Sequence, residues 1–126
     1  MELKESLLYS KSHEWVEEKE SSVLVGITDY AQNELGDIVF ANLPEIGDTV
    51  AKGVPFGDVE SVKAVSDIYS PVSGKVVAVN EEIIDSPEKM NNAPYEAWLI
   101  EVGEISEREP LMSAADYKAF CENEGK

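Results

Sequence analysis

Short apolar runs separated by turn residues make up most of the chain between residues 23 and 102. The runs are rich in Val and Ile, and Gly and Pro interrupt them at short intervals, which is typical of short β-strands. They predict six strands, at Val23–Ile27, Ile38–Leu43, Pro55–Glu60, Val65–Tyr69, Lys75–Val79 and Trp98–Val102. Because many short strands with frequent turns indicate a sandwich or a barrel, the pattern predicts a mainly β fold with a few short helices.

The segment before residue 28 predicts the first pairing of strands. Two runs with apolar residues, His13–Val16 and Ser22–Ile27, flank the polar stretch Glu17–Ser21. A charged stretch between two such runs is typical of a solvated hairpin loop.

Helix signals occur at two places. Thr28 or Asp29 can cap a short helix over Tyr30–Leu35, and Gly36 suits the position just after its end. Near the C-terminus, Ser113 predicts the start of a second helix, at about residues 113–123, with one apolar side. A chain of 126 residues with 43% hydrophobic content can fill one core, so we expect a single domain over residues 1–126, with this helix packed on it.

The charge balance narrows the function. There are 26 acidic and 10 basic residues, which give a net charge of −16. Such a surface repels phosphate backbones, so nucleic-acid binding is not expected, and it favours a monomer. Cys121 and His13 are the only residues of their types, so neither an internal disulfide nor a zinc site is expected.

Targeting signals are not evident in the sequence. The apolar runs are too short to cross a bilayer, and the first residues, MELKESLLYSKSHEW, resemble neither a signal peptide nor an Arg-rich transit peptide. We therefore expect a cytoplasmic protein without membrane association. A processed eukaryotic form would instead belong in the mitochondrial matrix.

Residues 57–71 carry the most informative pattern. Their apolar residues recur at every third position, which by itself separates neither strand from helix. Gly57 and Pro71 bracket a stretch rich in Val, Ile and Tyr, which favours two strands joined by a tight turn near Val62–Ala64. Lys63 would then lie at the tip of a hairpin, where its long stem can carry an acyl group. The chain has nine lysines, and composition alone does not distinguish Lys63 from the others.

Motifs along almost the whole chain resemble one protein family. They are YSKSHEWV at 9–16, VGITDYAQ at 25–32, LGDIV at 35–39, LP at 43–44, VESVKA at 59–64, SPVSG at 70–74 and YKAFC at 117–121. In combination they resemble the H proteins of the glycine cleavage system, which are lipoylated carriers. The resemblance implies a barrel-sandwich hybrid and lipoic acid joined by an amide bond to Lys63, at a hairpin tip.

The resemblance also implies a set of partners. A glycine decarboxylase (P protein) loads an aminomethyl group onto the lipoyl arm. An aminomethyltransferase (T protein) takes its carbon, and a dihydrolipoyl dehydrogenase (L protein) reoxidises the dithiol. A lipoyl or octanoyl transferase, or a lipoate ligase, attaches the arm. The chain itself would be a carrier subunit without catalytic residues.

Several further residues match positions of that family. Glu14, Asp67 and Ser12 match residues that hold the ammonium of the loaded arm in a cleft, by charge-assisted hydrogen bonds. Glu60 is expected to be recognised by the lipoylating enzyme. One departure is Ala97, which stands before Trp98 where family members often have Gly. Ala does not readily adopt a positive φ, so we expect a different local turn there.

Four other functions remain open. A paralogue could serve mainly as a lipoyl donor or relay. A biotin carrier usually has Met on each side of its lysine, and Val62 and Ala64 do not fit that pattern. Nothing in the sequence supports a free-standing enzyme, because it has no nucleophile elbow, no Gly-rich phosphate loop and no His–Asp pairing beyond chance. A purely structural acidic adaptor would not depend on Lys63.

Overall fold

The structure, a computed structural model, describes residues 1–124. Within these residues the chain forms nine β-strands and four short α-helices. In chain order they are β1 (Leu8–Tyr9), β2 (Glu14–Glu18), β3 (Ser22–Ile27), α1 (Asp29–Leu35), β4 (Ile38–Asn42), β5 (Thr49–Val50), β6 (Pro55–Ser61), β7 (Val65–Tyr69), β8 (Val72–Val79), α2 (Glu81–Asp85), α3 (Lys89–Asn92), β9 (Ile100–Arg108) and α4 (Ala114–Glu124). The predicted mainly β fold with a C-terminal helix is confirmed.

Two antiparallel sheets face one another. The larger sheet has six strands in the order β1-β2-β3-β9-β8-β5, and the smaller has three in the order β4-β6-β7. Both sheets contribute to one apolar core, with Val25 and Val102 from the larger sheet and Val59 and Ile68 from the smaller. Full burial of each such side chain contributes about 1.5–3 kcal/mol relative to exposure.

Alternation of side chains decides which face of each strand enters that core. On β7, Ile68 is buried, whereas Val65, Asp67 and Tyr69 are exposed. Successive side chains of a strand point to opposite faces, so β7 has a core face and an outward face. The same holds on β6, where Val59 is buried.

Helix α1 follows the signals in its sequence. Thr28, rather than Asp29, is the N-cap, and its Oγ1 accepts a hydrogen bond from the Ala31 N–H at 3.2 Å. Gly36 ends the helix with φ +76° and ψ −155°, and its N–H donates to the Gln32 carbonyl at 3.0 Å. Residues other than glycine rarely adopt that conformation, which explains why the helix stops there.

Helix α4 packs a second apolar cluster. Ala114, Tyr117 and Cys121 are buried at helical spacing against Tyr9 and Trp15 of the larger sheet. The Ser113 Oγ accepts a hydrogen bond from the Asp116 N–H at 3.2 Å, which satisfies one backbone donor of the first turn. The predicted helix is confirmed, and it ends at Glu124.

A close contact between two strands fixes the centre of this cluster. Trp15 of β2 pairs with Gly26 of β3, and a Cβ built on Gly26 would lie 2.4–2.6 Å from the Trp15 ring. The ring therefore occupies the space that any side chain at residue 26 would need. The Trp15 Nε1–H donates to the Pro94 carbonyl at 3.0 Å, so the buried indole keeps its hydrogen bond.

Some predicted boundaries were wrong. The strand expected at Trp98–Val102 begins at Ile100 and runs to Arg108, and the strand expected from Lys75 begins at Val72. Ala97 needs no positive φ, because the only described non-glycine residues with one are His13 and Glu104. Ala97 is instead buried in the core.

Candidate functional site

The turn between β6 and β7 presents Lys63. The Ser61 N–H donates to the Ala64 carbonyl at 2.8 Å, and the Ser61 Oγ accepts from the N–H groups of Lys63 and Ala64 at 3.1 and 3.2 Å. The Val62 N–H donates to the Asp37 carbonyl at 3.0 Å, which ties the turn to the segment after α1. Lys63 is exposed at the tip of the hairpin, as the sequence predicts.

The Lys63 side chain lies along the C-terminal end of α1. Its Nζ donates to the Glu34 carbonyl at 3.3 Å. Its Cε would lie 3.2 Å from a Cβ on Gly36, so the missing side chain of this glycine leaves room for the stem. The last carbonyls of a helix carry partial negative charge, which attracts the lysine ammonium.

A cleft of about 390 Å³ begins beside this contact. Helix α1 forms one wall, while the segment before β2 and strand β7 form the rest. Its lining residues are Ser12, His13, Tyr30, Ala31, Glu34, Leu35 and Ser66. Glu34 both lines the cleft and accepts the hydrogen bond from Lys63, so the lysine amine lies at the rim.

Glu14 lies buried behind one side of this cleft. Its Oε1 accepts from the hydroxyls of Ser10 and Ser12 at 2.6 and 2.5 Å, and its Oε2 accepts from the Tyr69 N–H at 3.2 Å. Burial raises the pKa of Glu14 from 4.5 to about 7, although these three hydrogen bonds pull the pKa down and the nearby Glu109 charge raises it. Ser12 is exposed and connects the cleft to this carboxyl group.

His13 forms another part of the cleft wall, and Tyr117 of α4 holds it in place by a hydrogen bond. Its Nδ1 and the Thr28 Oγ1 each share a hydrogen bond of 2.7 Å with the Tyr117 hydroxyl. The His13 ring stacks on Tyr30, with 4.6 Å between ring centroids. Burial raises the pKa of the Tyr117 hydroxyl, so this group stays protonated and keeps a hydrogen to donate. His13 has φ +72°, a strained value for a residue other than glycine.

Two predicted site residues lie elsewhere. Asp67 is exposed on the outward face of β7, opposite Asp58, and does not line the cleft. Glu60 is half-buried on β6, and its backbone lies between those of Phe40 and Val65. The structure therefore brings Lys63, Ser12 and Glu14 together at the cleft and leaves Asp67 and Glu60 on the outer side of the smaller sheet.

Sequence reasoning missed several residues that shape the cleft. Ser10 and Ser66 carry no signal beyond ordinary polarity. Tyr117 was expected only as part of the apolar side of α4, and its hydroxyl partners are far away in sequence. Thr28 was recognised as a helix cap, but its second bond to Tyr117 depends on the packing of α4.

Within residues 1–124, neither a metal cluster nor a membrane-spanning helix is present. In that range no group of three or more His, Cys, Asp or Glu residues is arranged to hold a metal ion. None of the helices formed by those residues is both long and apolar enough to cross a membrane.

Comparison with known proteins completes the description. The site consists of an exposed lysine on a hairpin tip of a two-sheet β fold, at the rim of a cleft. The glycine cleavage H-protein family model matches residues 7–124, so the chain belongs to the glycine cleavage H-protein family. The predicted resemblance is confirmed.

Individual relatives agree with this assignment. The chain is 52% identical over 125 residues to a glycine cleavage system H protein of Lachnoclostridium phytofermentans, covering 98% of both chains. It is 56% identical over 125 residues to that of Halalkalibacterium halodurans, covering 97% of this chain and 98% of the other. A crystal structure of a glycine cleavage system H protein from Mycobacterium marinum matches with a TM-score of 0.89 at 36% identity, covering 98% of this chain and 100% of the other. The fold is thus the predicted barrel-sandwich hybrid.

Proposed function

We propose that the chain is the lipoyl-carrying shuttle of the glycine cleavage system, with lipoic acid joined by an amide bond to the Nζ of Lys63. One observation carries this proposal: Lys63 is exposed at a hairpin tip, and its Nζ lies at the rim of a cleft. The lipoyl group, when attached, supplies the disulfide that accepts and delivers an aminomethyl group and electrons. The residues fit this group, because the tip leaves the amine accessible and the cleft begins where the stem ends.

The hairpin and α1 position the amine. Ser61 fixes the turn by accepting two backbone N–H groups, so the root of the arm is held in place. Acylation converts the Lys63 ammonium into a neutral amide. The attraction to the partial negative charge at the Glu34 carbonyl is thereby lost, and the arm is released from this contact.

Ser12 and Glu14 stabilise a positively charged cargo in the cleft. The amine of a carried aminomethyl group is cationic near neutral pH, and the Ser12 hydroxyl is the group that it meets first. Glu14 accepts the Ser12 hydrogen and brings a negative charge close to the cargo. Because the pKa of Glu14 is about 7, a nearby cation shifts the carboxyl towards its charged form, with release of a proton from Glu14.

Asp67 and Glu60 act outside the cleft in this proposal. Asp67 follows Ser66, which lines the cleft, but its own carboxylate is exposed on the outward face of β7. Its predicted contact with the cargo ammonium is retained for the arm outside the cleft. Glu60 is recognised by the enzyme that attaches the lipoyl group.

Family membership supports the proposed partners. The chain receives its cargo from glycine decarboxylase, passes it to the aminomethyltransferase and is reoxidised by dihydrolipoyl dehydrogenase, and it contributes no catalytic residue of its own. A lipoyl or octanoyl transferase, or a lipoate ligase, modifies it. Residues 1–126 act as one monomeric carrier domain, of which 125 and 126 lie outside the described residues. Bacterial relatives support action in the cytoplasm.

Glycine–bicarbonate exchange with a purified decarboxylase tests the proposal. Wild-type protein lipoylated at Lys63 should support exchange, whereas Lys63→Arg should show no lipoyl adduct in its intact mass and only background exchange. Lys75→Arg is a matched control, because Lys75 is an exposed strand lysine on the other sheet. Equal exchange by Lys63→Arg and wild type would reject the assignment.

A further inference from the structure

Exposed apolar side chains concentrate around Lys63. Half of the large hydrophobic side chains that are exposed within residues 1–124 lie on the smaller sheet or at its hairpin tip. They are Val39, Phe40, Val62, Val65 and Tyr69. A cluster of this kind on one sheet face differs from the scattered single residues that are normal on a protein surface.

The strand register places the centre of this cluster beside the lysine. Phe40 lies opposite Glu60, and Glu60 lies opposite Val65, so the three residues form one row across the sheet. Phe40 and Val65 are 51% and 61% exposed, and Val62, next to Lys63, is 69% exposed. We call the outward side chains of Phe40, Val62, Val65 and Glu60 the hairpin face.

We propose that the hairpin face is the docking surface for the enzyme that acylates Lys63, an inference that rests on the proposed function. That enzyme must enclose the lysine Nζ, which is separated from the backbone only by a four-carbon stem. An enclosing protein surface lies against the hairpin tip, where Val62 adjoins Lys63 and Val65 follows two residues later. Enzymes that act on the finished arm meet the far end of an added eight-carbon chain, so they can stand further from the sheet.

The reaction itself requires this close approach. With an acyl adenylate as donor, Nζ attacks the acyl carbonyl carbon, the nitrogen–carbon bond forms and the bond from that carbon to the phosphate oxygen breaks. AMP leaves, and the ammonium loses two protons in becoming an amide. Exclusion of water protects the adenylate from hydrolysis, and the apolar hairpin face provides a surface that an enzyme can seal.

The acidic residues of the smaller sheet indicate which charges the partner carries. The three strands of the smaller sheet contain Asp58, Glu60 and Asp67 and no Lys or Arg. The matching surface is thus apolar, with a basic residue facing Glu60 and further basic residues towards Asp58 and Asp67. Complementary charges of this kind speed association more than they tighten binding, so we expect salt to slow acylation.

Acylation kinetics of the unmodified protein test the inference. Phe40→Thr/Val65→Thr removes apolar area while keeping residues that suit strands. With a purified ATP-dependent lipoate ligase, octanoate and ATP, intact-mass measurements should show kcat/KM reduced at least about tenfold for this variant, the scale expected on losing interface anchors. Val77→Thr, at a strand valine that is 42% exposed on the larger sheet, is the matched control and should stay near the wild-type value.

The outcomes separate the two proposals. Wild-type protein that is never acylated at Lys63 refutes the proposed function. Acylated wild type with an equal kcat/KM for the double variant, or an equal loss for Val77→Thr, refutes the docking surface alone. The double variant, once fully lipoylated by long incubation with lipoate in place of octanoate, should support glycine–bicarbonate exchange at the wild-type rate. A loss of exchange as large as the loss of acylation would assign the face to the decarboxylase and overturn the inference. Val65→Thr alone serves if the double variant unfolds.

Discussion

The Nζ of Lys63 lies 3.3 Å from the backbone oxygen of Glu34, in the last turn of the helix that forms one wall of the cleft. The lysine amine and the cleft therefore share one element, and a group attached to Lys63, as proposed above, would begin at the rim of the cleft.

Gly36 should be required for this arrangement. Gly36→Ala is expected to lower the free energy of unfolding by about 1–3 kcal/mol, because its backbone conformation suits only glycine. The new Cβ, 3.2 Å from the Lys63 Cε, should also displace the stem. Urea unfolding measures the first effect, and the NMR shifts of the Lys63 ε-methylene measure the second.

Gly47 provides the control for that substitution. It also has a positive φ, of +99°, but a Cβ there would meet nothing within 4 Å. Gly47→Ala should thus lose stability without moving the Lys63 resonances. If both variants leave those resonances at their wild-type positions, the stem does not depend on Gly36.

Glu14 should make stability depend on pH. Its pKa is raised from 4.5 to about 7, so the folded chain binds this proton more tightly than the unfolded chain. The stability contributed by the group is complete below pH 4.5 and is lost as pH rises through about 7. The expected loss between these limits is about 3 kcal/mol. Urea unfolding of wild type and Glu14→Gln from pH 4 to pH 8 measures it.

Comparison of the two curves isolates this group from the other carboxylates. A constant penalty from the new amide beside the Tyr69 N–H shifts the whole Glu14→Gln curve, whereas the lost titration changes its slope. Glu20→Gln, in an exposed loop, is the matched control for the loss of one carboxylate. Parallel curves for wild type and Glu14→Gln would show that Glu14 titrates equally in both states.

Much of the fold could be predicted from the local sequence pattern, because strands of five or more residues contain enough apolar positions to be recognised. The two-residue strands β1 and β5 and the short helices α2 and α3 carry too few. Trp15 and Gly26 show a different limit, since each looks ordinary alone and only the register of β2 and β3 brings them together.

The sequence predicted some positions of the candidate site but not their tertiary contacts. The position of Lys63 at the hairpin tip could be predicted, because the strands on either side of it show a clear pattern. Its contact with α1 could not, because that contact depends on tertiary packing. Alternation along β7 already separates Asp67 from Ser66, so the sequence held the signal that Asp67 faces outward. The burial of Glu14 could not be predicted, because Glu14, Trp15 and Val16 are all buried and break the alternation of β2.

Gly26→Ala should be among the most destabilising substitutions in the larger sheet. The added Cβ would lie 2.4 Å from a Trp15 ring carbon, and neither the ring nor the two paired backbones can move away cheaply. We expect a loss of about 3 kcal/mol or more in the free energy of unfolding, with a changed near-ultraviolet circular dichroism signal from Trp15. In Gly103→Ala the new Cβ meets only Val77, at 3.1 Å, and this exposed side chain can rotate. An equally large loss of stability in Gly103→Ala would show that the cost in Gly26→Ala comes from strand propensity and not from the contact with the Trp15 ring.

Ser10 and Ser12 should have the same effect on the pKa of Glu14 but different effects on the lifetime of the cargo. Both hydroxyls donate to the same Glu14 oxygen, at 2.6 and 2.5 Å, and both lower its pKa. Either serine-to-alanine change should raise that pKa by roughly one unit, the value of one hydrogen bond, as measured by carbon NMR of the carboxyl group.

Only Ser12 lines the cleft, whereas Ser10 is buried behind it. Ser12→Ala should therefore speed ammonia release from the isolated, loaded protein, by about three- to tenfold if one hydrogen bond to the cargo is lost. Ser10→Ala should change this rate much less, because it affects the cargo only through Glu14. Lipoylation should proceed equally in both variants, since neither serine lies on the hairpin face. Equal ammonia release from the two variants would mean that the Ser12 hydroxyl acts on Glu14 alone and does not touch the cargo.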